Sequence, residues 1–327
     1  MTGMRKSLAW RLAKRLAADP LRKAWYGWRN RDKVTLFWYK SSNWGDALSP
    51  VLVRLLSGKE VIYPPGMYCS HYLAVGSILE ICNNNSVVWG SGFIKQPSAS
   101  VPRPRRVCAV RGPLTRKAFI EAGVDCPEVY GDPALLLPLF YNPDVPKRYR
   151  LGIIPHSMDK GHPWVQSQLN VPGVLVLDVE SETWEFVRQV KSCEAVLSSS
   201  LHGLICADAY GIPNAWIRLS EDVIGGSFKF TDYRLSIGAK EPTPLVATSE
   251  TPLDRLASRV ESHRPLIDLR ALLLSCPFVS RRILEWLKTS TTLLLPLPPY
   301  QTPPLAKFLH NLPRVARFKA GSESDGH

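Results

Sequence analysis

The stretch Ala195-Val-Leu-Ser-Ser-Ser-Leu-His-Gly-Leu-Ile-Cys-Ala-Asp-Ala-Tyr-Gly-Ile-Pro-Asn-Ala-Trp-Ile217 decides the fold class. Ala195 to Leu197 is a short apolar run, and Ser198 to Ser200 is a polar turn. Leu201 to Tyr210 reads as an apolar helix that Gly211 caps and Pro213 stops, and Asn214 to Ile217 is apolar again. Strand, turn, helix and strand in this space form the crossover unit of a parallel sheet.

The same grammar extends in both directions. Leu151 to Ile154 predicts a strand with Pro155-His156 at its exit. Val174 to Leu177 predicts another strand, and Glu182 to Val190 a helix. Further upstream, Val34 to Tyr39 reads as a buried strand, Lys40 to Asp46 as a polar turn, and Ala47 to Leu56 as a helix stopped by Gly58. Asp46 is a good N-cap for that helix, and Pro50 falls near its first turn, where a missing N–H costs least. Short strands follow at 59–63, 71–75, 86–89 and 107–110. A helix runs from Pro113 to Gly123, and a strand at 128–130 closes with Gly131-Asp132-Pro133. Asn142 to Lys147 is a linker rich in proline.

The expectation is an α/β protein with two Rossmann-like lobes, residues 34–145 and 146–245. A basic amphipathic arm (1–33) precedes them. A helical, Pro-rich extension (246–327) follows, with helices near 253–260 and 280–287 and a disordered tail from Gly321.

Composition narrows the function. Of 327 residues, 45% are hydrophobic and 21% charged, which is globular, and no uninterrupted apolar run is long enough to span a membrane. The seven cysteines are widely spaced without a CxxC pair, so they are expected to be reduced, buried and structural, in the cytoplasm, rather than zinc ligands or disulfides. The net charge of +13 suits an anionic partner. In the arm, Arg5, Lys6, Arg11, Lys14, Arg15, Arg22, Lys23, Arg29 and Arg31 alternate with Trp10, Leu12, Leu16, Trp25 and Trp28. Such a segment either lies on an anionic membrane surface or packs on the body with a solvated basic face. Nucleic-acid signatures are absent, and no nucleic-acid partner is expected.

In open α/β sheets, ligands bind where strands end and helices begin. The polar residues at predicted strand exits are Asn43, Gly45, Asp46, Ser91, Gly92, Arg111, Asp132, His156, Ser199, Ser200 and His202. Asp132 could equally be an ordinary turn residue. Gly90-Ser-Gly92 lacks the third glycine of a dinucleotide fingerprint. Arg111 ends an apolar strand just before a helix start, where a cation and free N–H groups could share one anion. His202 follows three serines and faces the expected crevice, poised to titrate near neutrality. No HExxH, Asp-x-Asp or P-loop lysine motif occurs, so no metal is expected.

These segments resemble the polysaccharide pyruvyltransferase family, in particular the ketal pyruvyltransferases of bacterial exopolysaccharide synthesis. The matching residues are Asn43-Trp-Gly-Asp46, Trp89-Gly-Ser-Gly92, Val110-Arg-Gly-Pro-Leu-Thr115, Gly131-Asp-Pro133, Ile153-Ile-Pro-His156 and Ser198-Ser-Ser-Leu-His-Gly203, in family order. The resemblance implies a fold like that of GT-B glycosyltransferases, phosphoenolpyruvate as donor substrate and no further cofactor. It also implies a donor-binding arginine at Arg111 and a catalytic histidine at His202. Where the family motif reads Arg-Leu-His, this chain has Ser200, so a second cation must come from elsewhere; Arg116, Lys117, Lys95 and Arg218 are candidates.

The implied reaction transfers pyruvate to a sugar as a cyclic ketal, with His202 as general acid and Asp46 or Asp132 as base or hydroxyl anchor. Asn43, Gly45, Ser91, Gly92, His156, Ser199 and Ser200 would line the substrates. The acceptor is expected to be a lipid-linked oligosaccharide or polysaccharide, reached from the inner face of the cytoplasmic membrane. A GT-B glycosyltransferase using a nucleotide sugar, and a non-catalytic carbohydrate- or membrane-binding component of a polysaccharide complex, are the alternatives.

Overall fold

A computed structural model describes residues 20–97, 100–239, 243–260 and 265–289. Residues 1–19, the first part of the basic arm, lie outside it, as do 290–327 with the Pro-rich run and the tail. The described part of the arm is helix α1, Pro20–Arg29.

Two parallel five-stranded sheets follow, an arrangement compatible with a two-lobed Rossmann-like fold. The first holds β1 (Val34–Phe37), β2 (Val61–Ile62), β3 (His71–Leu73), β4 (Ser86–Trp89) and β5 (Arg106–Ala109), in the order β2-β1-β3-β4-β5. The second holds β6 (Tyr149–Ile154), β7 (Val174–Val176), β8 (Cys193–Ser198), β9 (Asn214–Arg218) and β10 (Leu245–Val246), in the order β10-β9-β8-β6-β7. Read from the other edge, the second order repeats the first. In each sheet the order of strand addition reverses between the first and third strands, which stay parallel, and this makes a topological switch point where the loops diverge and leave a crevice. The duplication is therefore architectural, without an internal sequence repeat.

The apolar faces follow from burial. One core cluster is private to the first sheet and includes Leu73, Val88, Val107 and Phe119. Another is private to the second and includes Leu151, Ile153, Leu197 and Ile217. The largest cluster belongs to both lobes. It joins Leu36, Trp44, Leu48 and Leu52 to Leu135, Leu136, Phe186, Leu204 and Ile205. Trp44 is fully buried in this seam. Its backbone N–H donates to the Val179 carbonyl at 2.8 Å and its indole N–H to the Thr183 carbonyl at 3.1 Å, while its ring rests 5.4 Å from Phe186.

Several elements differ from the sequence expectation. Helix α2 is Trp44–Ser57 and is capped by Asn43, whose side chain accepts the Gly45 N–H; Asp46 sits inside its first turn and Pro50 well inside the helix. Asn43 wins because its amide oxygen satisfies a free N–H one turn earlier than Asp46 could. The segment 128–130 makes only a single bridge, Val110 to Tyr130, before a 3-10 turn over Pro133–Leu139 whose cap is Asp132. The helices at α3 (Pro113–Glu121), α5 (Thr183–Lys191) and α6 (Leu201–Ala209) agree with the reading; a short α4 (Pro163–Ser167) and the helix α7 (Phe228–Ser236) had no counterpart in it.

Beyond β10 come α8 (Leu253–Ala257), α9 (Leu269–Leu274) and α10 (Arg281–Thr289). This extension returns to the first lobe. The Trp89 indole donates to the Leu272 carbonyl at 2.9 Å, and Phe278 sets its ring edge-on to Tyr72 and Trp89 at 5.0 and 5.3 Å.

Candidate active site

The two switch points face each other across the seam. After β1 come Asn43, Gly45 and Asp46, and after β3 comes Gly76. After β6 comes His156, and after β8 the serine turn and His202.

His202 lies in the first turn of α6, partly buried, with its Nε2 out of contact with solvent. Its Nδ1 is 3.2 Å from the Asn43 side-chain oxygen, across the seam. That oxygen already accepts the Gly45 N–H, so Nδ1 must carry the proton and Nε2 the lone pair. Nε2 has no hydrogen-bond partner among the described residues. Gly45 is required here because a Cβ would overlap the imidazole. Burial, then the charges of Lys229, Arg111 and His156, push His202 down to about 3. The ring is therefore neutral at pH 7 in the free protein, not poised near neutrality as its position alone implied.

Arg111, by contrast, is fully buried. Its guanidinium donates to the Phe93 carbonyl at 2.7 Å, to the Ser77 hydroxyl and to the Asp232 carboxylate at 3.1 Å. Asp232, from α7 in the other lobe, accepts the Thr115 N–H at 2.9 Å and the Thr115 hydroxyl at 2.7 Å. The anion place expected from the sequence, a guanidinium beside a helix start, thus exists and is filled by the chain's own carboxylate. Gly92 and Gly112 permit this packing, since a Cβ at either would overlap Arg111 or Asp232. In this arrangement Arg111 acts on the crevice through its charge.

Lys229 and His156 bear on His202, and Asp46 in turn lies near Lys229. Lys229 is 7% exposed, and burial followed by the Arg111 charge lowers it to about 8, with Asp46 opposing. Burial raises Asp46, which accepts a 2.5 Å hydrogen bond from Ser41. His156 is lowered by burial and then by Lys229. Asp132, set behind Gly76, is raised to about 6 by burial, and its Oδ2 has no partner among the described residues.

The remaining expected residues have structural partners. Ser91 donates to the Ala74 carbonyl at 2.6 Å. Ser199 donates to Asp159 and accepts the His156 N–H, and Ser200 donates its backbone N–H to Ser198. The four suggested second cations are engaged or turned elsewhere. Arg116 bonds the Cys126 carbonyl, Lys117 pairs with Glu121, Arg218 pairs with Glu221, and Lys95 is exposed. Lys229 is the cation beside His202, and sequence reasoning missed it together with Asp232. The available signal was a helix pattern: Ser227 as a start residue, apolar Phe228, Phe230 and Tyr233, and Gly238 after the end. All seven cysteines are buried, with Cys126 pushed up to about 12 by burial. Among the described residues no three His, Cys, Asp or Glu side chains converge as a metal site.

Comparison with known proteins bears on this crevice. The model of the family described as polysaccharide pyruvyl transferase matches residues 13–221, which include both switch points. The chain is 29% identical over 252 residues to the uncharacterized protein L143 of Acanthamoeba polyphaga mimivirus, covering 73% of this chain and 86% of that one. It is 30% identical over 207 residues to the succinoglycan biosynthesis protein ExoV of Rhizobium meliloti (strain 1021), covering 60% of this chain and 62% of that one.

Proposed function

The chain belongs to the polysaccharide pyruvyl transferase family, and from that premise we propose that it moves the pyruvyl unit of phosphoenolpyruvate onto an exopolysaccharide sugar as a cyclic ketal. The observation that carries this is the buried, unpartnered Nε2 of His202, set among Lys229, Arg111 and His156. A buried polar atom without a partner, in a field of positive charge, calls for an anionic ligand. Phosphoenolpyruvate brings a carboxylate and a phosphate, and Lys229 takes the part left open by Ser200.

Each residue then has a task. His202 is held down by burial and by the charges of Lys229 and Arg111; the donor's negative charge offsets those two cations, so Nε2 can carry a proton in the complex. Protonated Nε2 delivers it to the methylene carbon while a sugar hydroxyl adds to C2, giving up its own proton toward Asp46. Phosphate leaves, and a second hydroxyl of the same sugar closes the ring. One diol and one phosphoenolpyruvate become one ketal and one phosphate. The two lobes would meet over the substrates in the manner of GT-B glycosyltransferases, a likeness of fold that does not by itself carry function.

The proposed acceptor is lipid-linked, and the proposed location is the inner face of the cytoplasmic membrane. In support, Trp25 and Trp28 on α1 are 53% and 66% exposed, with the guanidinium groups of Arg29 and Arg31 over their rings. Indoles beside cations suit an anionic headgroup layer. Among the described residues no helix is long and apolar enough to cross a membrane.

The test is phosphate release from phosphoenolpyruvate by purified protein with saccharide acceptor, with mass spectrometry of the product. A pyruvate ketal is expected. Consumption of a nucleotide sugar instead, with phosphoenolpyruvate untouched, would overturn the reading.

A further inference from the structure

An aromatic cluster stands at the lip of the crevice and no step above uses it. Trp38, Tyr39 and Lys40 follow β1 on the carboxyl edge of the first sheet, and Tyr63 follows β2 on the same edge. Phe37 packs edge-on to Tyr39 at 5.7 Å and tilted to Tyr63 at 5.4 Å, and Trp38 meets Tyr63 edge-on at 5.0 Å. Lys40 lays its ammonium 4.3 Å from the Tyr63 ring centre. These contacts brace the group from behind, yet Tyr39 remains 44% exposed. The cluster is continuous with the catalytic crevice. Two residues beyond Tyr39, the Ser41 hydroxyl bonds Asp46. The Tyr39 hydroxyl is raised by burial and then by the carboxylates of Glu80 and Asp46, which lie close to it. Glu80 is fixed in place by the Ile94 N–H at 2.7 Å.

We propose that Tyr39, braced by Phe37, which Tyr63 backs in turn, is the platform on which a pyranose ring of the acceptor oligosaccharide stacks, with Asp46 and Glu80 receiving its hydroxyl groups. This rests on the pyruvyl-transfer reading and names where the acceptor lies in it. A pyranose has an apolar C–H face and a rim of hydroxyl donors, which match a braced aromatic ring fringed by carboxylates. The same carboxylates disfavour an anionic occupant such as a nucleotide, which separates this subsite from the cationic donor pocket around Lys229. Asp46 is then shared: it ends the platform and feels the charge of Lys229, which also bears on His202, so a sugar resting on Tyr39 presents its hydroxyl to the reacting carbon.

Binding can be measured apart from turnover. Oligosaccharide fragments of the producing organism's own polysaccharide, cleared of ketals with mild acid, are titrated into the protein in a calorimeter. Phosphoenolpyruvate binding is followed separately by thermal shift. Tyr39→Ala should weaken saccharide affinity at least about tenfold, Tyr63→Ala should do so by a smaller factor, and Tyr39→Phe, which keeps the ring, should restore it; the donor shift stays as in the wild type. Unchanged affinity in Tyr39→Ala, or no saccharide binding by the wild-type protein, overturns the platform. Loss of saccharide binding in Tyr39→Ala by a protein that ignores phosphoenolpyruvate would overturn the donor reading and leave the platform standing.

Discussion

The Asp232 carboxylate from one lobe closes on the Arg111 guanidinium of the other, with both side chains fully buried. It also receives the N–H and hydroxyl of Thr115. Removing one member of such a pair strands the other charge away from water, which costs about 3–5 kcal/mol. Asp232→Ala is therefore expected to lower the urea midpoint strongly, whereas Asp232→Asn, which keeps an acceptor for Thr115, should lose less. An unchanged midpoint in Asp232→Ala would refute a charge-pairing role, and equal losses for the two variants would refute a contribution from the Thr115 hydrogen bonds.

Lys229 sets function against stability. Its value in the folded chain, about 8, lies below the ordinary lysine value of 10.5, so the unfolded chain holds this proton more tightly. Stability from this group therefore rises with pH between about 8 and 10.5, and at pH 7 the buried charge is a burden. Lys229→Met should stabilise the free protein at pH 7 by on the order of 1–3 kcal/mol, measured by urea unfolding. The same variant should raise the donor KM at least about tenfold, since it removes a charge-assisted contact. In the wild type, donor KM should climb as pH passes above about 8. A flat donor KM in Lys229→Met would remove the lysine from the site.

For His202, replacement by alanine should reduce kcat by about 10²–10⁴, the range for losing a positioned proton donor. Gly45→Ala offers a subtler version, because its new methyl would displace the imidazole without altering its chemistry. Turnover should fall at least about tenfold in that variant, while circular dichroism remains that of the wild type. Full activity in Gly45→Ala would show that the seat of the ring is immaterial.

Asp132 predicts an acid-side slope. Its folded value near 6 lies above the ordinary 3.8, so between these limits the folded chain takes up a proton that the unfolded chain does not. The contribution is complete below about 3.8, is lost as pH rises, and is gone above about 6. Asp132→Asn should flatten this part of the pH–stability curve, by on the order of 2 kcal/mol across the window. An identical curve in the variant would assign the slope to other groups.

What could be read from the chain divides along physical lines. Strands such as Ser86–Trp89 and Asn214–Arg218 announce themselves through short apolar runs ended by turn residues, and the structure keeps them almost to the residue. Asn43 and His202 were legible as strand-exit residues, but their mutual hydrogen bond was not, because it joins positions 159 apart. The sharing of Arg111 with Asp232 was hidden for the same reason. Lys229 escaped notice because a lysine between two phenylalanines reads as an ordinary solvated charge; only the fold shows it enclosed. The N-cap shift from Asp46 to Asn43 turned on one side-chain hydrogen bond, below the resolution of pattern reading.

The apolar seam through Trp44, Leu136, Phe186 and Leu204 has a consequence for dissection of the molecule. Each sheet owns only one of its two greasy faces outright, and leaves the other to be covered by its neighbour. Severing the polypeptide in the 142–147 connector should yield fragments that clump when expressed separately and recover a compact form when expressed together. Heating the intact chain should give a single calorimetric peak, since the largest cluster can be kept by neither half alone.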